Sequence, residues 1–437
     1  MTPPDSGIQI AAHQAELTLF FTLLQIIVII AAARIAASVA IRLKQSPAVG
    51  EIVVGVLLGP SLFGLVAPQT FHYVFQSVPA TPMTMMSQIG LILLMFQIGL
   101  EFDFNHLRAP KNRTVVLAVT AAGIVLPFAL GLAIGYASAP YLAANINPTA
   151  YSLFIATALS ITAVPILGRI MMEFNITRHY LGTITITSAA INDVIGWFLL
   201  AAITALTLSA FSLENLSIRL ALFVAYIAFF WWVVRPILRR LIARAQISSE
   251  KFPDSFLALL LILIFASAIA TYKIGIFAIF GGFMMGVILF DQQPLIEAWK
   301  KRISAFITVF FLPIFFTYTG LRTDINGLDS AALWGWFLVM LGAATLGKFG
   351  GCYWAARRCG LDRTESKIIA VMMNTRALME LIVLNIGLDL GVIPPPVFTM
   401  LVLMAIISTV ITAPFLRYWL PKLGNQAVVL DRSAEKI

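Results

Sequence analysis

Thirteen long apolar runs divide this chain, and almost every basic residue falls in alternate gaps between them. Read by hydropathy and length, the runs are 17–40, 48–66, 84–103, 114–137, 149–172, 180–208, 216–241, 254–272, 274–290, 303–321, 331–356, 366–388 and 396–420. Most match the ~20 apolar residues that a helix needs to cross a hydrocarbon core. They are continuously apolar, which excludes a β-barrel, whose strands alternate polar and apolar with period two. A chain with 60% apolar and 11% charged residues also lacks the ~25% charge that a water-facing surface carries. The fold class expected is an all-α polytopic membrane protein with about 13 transmembrane helices.

The basic residues test that count. Alternate gaps hold Arg42 and Lys44; Arg108, Lys111 and Arg113; Arg178; Arg235, Arg239, Arg240, Arg244 and Lys251; and Lys300, Lys301 and Arg302. The series ends with Arg357, Arg358, Arg363 and Lys367, then Arg417, Lys422, Arg432 and Lys436. The intervening gaps hold only Lys273 and Arg322, with Arg219 at a helix end. Adding or dropping one helix would scramble this separation of twenty-two from three. Because Lys and Arg collect on the cytoplasmic side, the N-terminus is expected outside and the C-terminus inside.

This also accounts for the net charge of +9 without nucleic acid, since no basic stripe lies on a soluble domain. Cys352 and Cys359 show no metal or disulfide spacing and read as packing residues. Residues 1–14 have no basic n-region, so 17–40 reads as a retained first helix and not a cleaved signal peptide. The inner (plasma) membrane is the expected location, because the loops are short.

Thirteen spans suit two six-helix halves of opposite orientation, 17–208 and 254–420, joined by a linker helix at 216–241. Residues 1–16 are then a short extracytoplasmic N-terminus and 421–437 a short cytoplasmic tail. Inverted repeats of this kind recur in secondary transporters, with the substrate site where helices of each half are interrupted near the midplane. Matching interruptions are present. The fifth run contains Thr162-Ala163-Val164-Pro165, and the twelfth contains Asn374-Thr375-Arg376 with Glu380. Each is the fifth helix of its half, so two broken, crossing helices are expected.

Charge inside a span costs about 2.5–3.5 kcal/mol at the bilayer centre on insertion scales, so each case needs a reason. Asp193 is fourteenth in the run 180–208 and is its only acid. A desolvated carboxylate holds a proton more tightly and releases it when a cation replaces that proton. A site that takes H+ or a metal ion in turn is the minimal machinery of an antiporter. Asn192 offers a carbonyl oxygen beside it, as ligand, as orienting group or as a helix–helix tie. One acid makes one proton per monovalent cation the simplest stoichiometry. For Lys348, in mid-span, two readings stand open: a switchable partner of Asp193, or a tie to a broken-helix end. Arg376 and Glu380, four apart, are expected to satisfy freed backbone and offset half-helix dipoles. Glu51 is read as a snorkelling acid or as one lining the access funnel. Arg34 is close enough to the cytoplasmic edge to snorkel, and His13, His72, His106 and His179 fall in loops or at span ends.

These residues resemble the monovalent cation:proton antiporter family. Ser46-Pro47-Ala48-Val49-Gly50-Glu51-Ile52 through Leu58-Gly59-Pro60 is similar to its opening motif, in the branch holding plant and fungal cation/H+ exchangers and bacterial potassium-efflux antiporters. Phe96 to Asp103, the run 159–172, Asn192-Asp193, Tyr318 to Asp324, and Asn374-Thr375-Arg376 with Glu380-Leu381-Ile382 and Asn385-Ile386-Gly387 follow in the family's order.

The resemblance implies a sodium/hydrogen exchanger-like fold. It implies an ion-carrying domain moving against a dimerisation domain in an elevator-like cycle, a homodimer, and transport of H+ and K+ or Na+ with no cofactor. It also implies Asp193 as carrier, Asn192 and Thr162 beside it, and Lys348 facing it; Ser188, one turn before Asn192, is a further candidate ligand. Ala377 stands where the family has Gly. The potassium-efflux members' nucleotide-binding domain has no counterpart here, so such regulation is expected to be absent or supplied by a separate cytosolic subunit. The Asn-Asp pair is associated with electroneutral exchange in related branches. Alternatives are a cation channel or leak, and a proton- or sodium-coupled organic-anion symporter. An intramembrane protease is disfavoured because the chain has no HExxH pair.

Overall fold

The computed structural model describes residues 5–43, 45, 47–100, 113–162, 164–174, 176, 179–208, 213–248, 250–274, 278–376 and 378–423. Lys44, Ser46, the stretch 101–112 with Asp103, His106, Arg108 and Lys111, Ala163, Arg178, Ala377 and the tail from 424 lie outside them, as do the side chains of Pro165 and Arg219.

The described residues form helices: α1 Asp5–Arg42, α2 Pro47–Leu58, α3 Thr81–Leu100, α4 Arg113–Leu142, α5 Pro148–Ser160, α6 Val164–Glu173, α7 Tyr180–Leu208, α8 Leu213–Phe229 and α9 Arg235–Ala245. There follow α10 Asp254–Ile274, α11 Ala278–Val287, α12 Gln293–Trp299, α13 Leu312–Leu321, α14 Ala331–Thr345, α15 Gly351–Arg358, α16 Arg363–Met373, α17 Leu378–Asp389 and α18 Pro395–Trp419. Wider π turns join α8 to α9 at Phe230–Val234 and α14 to α15 at Leu346–Gly350.

Every one of the thirteen apolar runs carries helix, but not every run is one through-helix. Among the described residues nine helices are long and apolar enough to cross a membrane, or ten if Gln293–Ser304 and Ile307–Gly327, bent by 45°, count as one. Among its described residues the run 274–290 holds the ten-residue α11. The runs 149–172 and 366–388 are each split into two short helices.

Polarity is inverted relative to a soluble protein. Leu19, Ile27, Ile35, Trp232, Leu338 and Leu346 face outward, while Asp193, Lys348, Arg376 and Glu380 are buried. Apolar surroundings cannot satisfy polar groups, so these turn inward to one another and to backbone.

The helices fall into two packed groups. In one, α4, α5 with α6, α7, α14 with α15, α16 with α17, and α18 pack on one another; in the other α1, α2, α3, α10, α11 and α13 do. Small residues set the first group's spacing. A Cβ on Gly131 or Gly135 of α4 would meet the Ala156 or Ser152 Cα of α5 at 2.6 and 2.5 Å. Elsewhere along α4, a Cβ on Gly347 would meet the Pro127 Cα at 2.9 Å, and one on Gly351 the Ala122 carbonyl oxygen at 2.8 Å. Gly347 and Gly351 are one turn apart, the small-xxx-small spacing of close membrane helix crossings. Lys348 is drawn into the interior between them.

Candidate functional site

Both breaks follow from local chemistry. α5 starts on Asn147, whose side chain accepts from the Thr149 and Ala150 amides at 2.9 and 3.2 Å, with Pro148 at the first helical position. It ends at Ser160 because Ile161 turns extended (φ −75°, ψ 149°). The chain resumes helix at Val164, and Pro165 in that first turn needs no amide partner. α16 starts on a capping box, Asp362 with Glu365. Glu365 also accepts the Tyr180 hydroxyl at the start of α7, joining the two ends. The N–H groups of Thr364 and Arg363 hold the Asp362 carboxyl below its usual range. α16 stops at Met373, Thr375 and Arg376 are irregular, and α17 begins at Leu378.

The two breaks touch. Thr162 Oγ1 donates to the Met373 carbonyl at 3.3 Å, and Asn192 Nδ2 reaches Thr162 Oγ1 at 3.5 Å. Asn192 and Asp193, in the middle of α7, are 1% and 3% exposed. Among the described residues, Asn192 Oδ1, Asn374 Oδ1 and Thr375 Oγ1 are buried with no hydrogen-bond partner. Buried polar atoms are nearly always paired, so unpaired oxygens beside an acid at a helix crossing suit a positive guest.

Two cations close the end of α5, where three consecutive carbonyls lose their helical partners. Arg376 donates to Ala158 at 2.9 Å through Nη1 and to Leu159 at 2.7 Å through Nη2, and Lys348 donates to Ser160. Arg376 Nη2 also reaches the Ala344 carbonyl at 3.3 Å. Two positive groups thus stand on the negative end of a half-helix dipole. Glu380 lies in the first turn of α17, the positive end of the other half-helix, with Oε2 3.5 Å from Arg376 Nη1. Asp193 follows Asn192, whose amide meets this same crossing, and Asp193 and Lys348 are 3% and 0% exposed. Four charges of opposite sign, two by two, therefore share one buried region.

Ser188 donates to the Val116 carbonyl at 3.3 Å, tying α7 to α4. Glu51 is only 4% exposed on α2, in the second group of helices, so it does not snorkel to water. Sequence reasoning missed three neighbours of the site. Thr409 on α18 accepts from the Arg376 amide at 3.1 Å and its hydroxyl contacts the Arg376 carbonyl, bracing the second break as Asn192 braces the first. A Cβ on Gly123 would stand 3.3 Å from Asn192 Nδ2, and Cys352, one turn beyond Lys348, donates to the Val119 carbonyl at 3.7 Å.

The second group of helices meets the second broken helix through a polar ladder. Arg322 donates to Asp389 at 2.5 Å and to Asn385 at 3.1 Å, and Asn385 donates to Thr319 at 2.8 Å.

Comparisons with known proteins agree with this architecture. The family model for the transmembrane region of sodium/hydrogen exchangers matches residues 27–420. The chain is 37% identical over 400 residues to the protein named Na(+)/H(+) antiporter NhaS4 of Synechocystis sp., covering 91% of this chain and 96% of that protein. It is 33% identical to Cation/H(+) antiporter 17 of Arabidopsis thaliana, covering 95% of this chain and 50% of that protein, so it spans about half the plant relative's length. The solved structure of the sodium proton antiporter MjNhaP1 from Methanocaldococcus jannaschii is similar in fold, with a TM-score of 0.63 over 94% of this chain and 99% of that one, at 16% identity.

Proposed function

This chain belongs to the sodium/hydrogen exchanger family of transmembrane proteins, and we propose that it is a multi-pass secondary antiporter exchanging H+ for a monovalent cation, Na+ or K+. One observation carries the reading: the buried Asp193 stands next to Asn192, whose amide reaches into the crossing of two broken helices while its oxygen is unpaired. The carboxylate binds H+ or a dehydrated cation in turn. Asn192, Thr162 and the broken-helix residues Asn374 and Thr375 supply neutral oxygens. Ser188 is kept as a more distant member of the set, since its hydroxyl serves α4.

Lys348 and Arg376 hold the end of α5 against its own dipole, and Glu380 balances Arg376. With Lys348 and Arg376 charged, the site is neutral when both acids are ionised, and a cation arriving as a proton leaves conserves that charge. This supports electroneutral one-for-one exchange. The path would be thirteen crossings in two inverted halves about the linker 216–241, N-terminus outside and C-terminus cytoplasmic, in the inner (plasma) membrane. The group bearing the breaks slides against the other in an elevator-like cycle, the second group forming a homodimer, with any soluble regulation supplied by a separate subunit. Glu51 belongs to the static group as a buried supporting charge.

The test is a proteoliposome assay with an acid interior and a fluorescent pH reporter. K+, Na+ or choline chloride is added to wild type and to Asp193→Asn. Dissipation of the gradient by K+ or Na+ that is absent in the variant supports the carrier role. A variant that behaves as wild type overturns it.

A further inference from the structure

We infer that Gly123 on α4 and Cys352 on α15 form a backstop for the Asn192 carboxamide, and that this backstop sets which monovalent cation the site accepts. The inference rests on the antiport reading above. A Cβ at position 123 would stand 3.0 Å from Cys352 Sγ, 3.3 Å from Asn192 Nδ2 and 3.6 Å from Met373 Cε. Glycine within a helix is less stable than alanine by ~1 kcal/mol, and nothing in the helical backbone of α4 requires it here. What it supplies is room. Cys352, fully buried, fills the other side of that space and is itself tied back to α4 at Val119.

The carboxamide is planar, so a push on Nδ2 moves Oδ1. Nδ2 contacts Thr162 Oγ1 at 3.5 Å, at the long limit of a hydrogen bond, and Oδ1 is unpaired. The amide is therefore held only loosely in front, and behind it lies the room that Gly123 leaves, with Cys352 Sγ on the far side of that room. A methyl group at 123 advances Oδ1 into the space beside Asp193 and narrows it. Selectivity among monovalent cations follows cavity size and ligand placement, so narrowing disfavours K+ more than Na+ or Li+. Removing the thiol does the reverse. Gly123 and Cys352 are thus positioning residues that act through Asn192.

The experiment compares wild type, Gly123→Ala, Cys352→Ala and the double variant with K+, Na+ and Li+. It reads half-saturating concentrations in proteoliposomes and, without turnover, the melting temperature of the solubilised protein as each chloride is titrated. Gly123→Ala is expected to raise the half-saturating K+ concentration about tenfold, the lower end of what one methylene decides in a pocket, with Na+ and Li+ within about twofold. Cys352→Ala alone shifts the order towards K+, and added to Gly123→Ala it brings the K+ value back towards wild type. Cys352→Ala still decides the matter if Gly123→Ala does not fold. Equal factors for all three ions, or a melting order unchanged in Cys352→Ala, overturn the inference. A wild type that exchanges no cation for H+ overturns the antiport reading instead, and the melting order still decides the backstop.

Discussion

The hydroxyl of Thr162 donates to the carbonyl of Met373 at 3.3 Å, so the break of one helix is bonded to the end of the half-helix facing it, 211 residues away. Thr162 also receives the Asn192 amide. Thr162→Val keeps the shape and deletes both bonds, leaving a buried carbonyl and an amide unsatisfied at about 1–3 kcal/mol. Lowered thermal stability and a several-fold loss of cation-driven proton flux are expected, with Thr162→Ser close to wild type in both. Flux and melting curves on the two variants check this. A Val variant with full flux would remove Thr162 from the site.

The positions of the breaks were legible in the sequence because Pro165 and the polar run Asn374-Thr375-Arg376 are foreign to an apolar helix. So were Asp193, Lys348 and Glu380, since a charge in a span is conspicuous on cost alone. Their partners were not legible. Arg376 reads as serving its own helix, yet it caps Ala158 and Leu159 of the other broken helix, 218 and 217 residues away. Hydropathy cannot report that crossing. Gly123 and Thr409 are residue types frequent in membrane helices, so nothing in their local sequence marks them. Likewise the run 303–321 reads as one span, whereas a bend of 45° falls between Ser304 and Ile307 at its start, where no proline or glycine marks it.

Arg376 and Glu380 form a coupled pair at 0% and 1% side-chain exposure. Removing one partner leaves the other buried and uncompensated, which typically destabilises by ~3–5 kcal/mol. Arg376→Gln is therefore expected to express poorly or melt much earlier, and Arg376→Lys to rescue little, because an ammonium lacks the planar fork that reaches Ala158 and Leu159 together. The double variant Arg376→Gln with Glu380→Gln should lose less than the sum of the singles. Melting temperatures over this cycle give the coupling. Additive losses would show that the two side chains act independently.

Arg322 links α13 to α17 through Asp389 and Asn385, between the group that bears the breaks and the group that does not. The pair is partly exposed, 22% and 39%, and such pairs stabilise by only ~1 kcal/mol or less. Arg322→Glu should therefore leave folding nearly intact. If the groups slide, it should alter transport by favouring the state in which this contact is broken, with maximal flux changing several-fold. Exchanging the charges, Arg322→Glu with Asp389→Arg, should restore much of the wild-type rate. Flux equal to wild type in the single variant would mean that this contact is not remade during the cycle.

The Asp362 carboxyl caps α16 and is held below its usual range by the N–H groups of Thr364 and Arg363. The sign follows from linkage: a group whose folded-state value is depressed stabilises above its unfolded value, near 3.9, and loses that contribution as pH falls through the folded value. Between pH 6 and 9 Asp362 is ionised in both states and its contribution is constant. Asp362→Asn, which keeps a capping side chain, is therefore expected to leave the pH profile of cation-driven flux between pH 6 and 9 unmoved, while flattening the acid limb of thermal stability below about pH 4. A flux profile displaced by half a pH unit or more in Asp362→Asn would put a pH-responsive group at the start of the second broken helix, and the competition at Asp193 would no longer account for the dependence by itself.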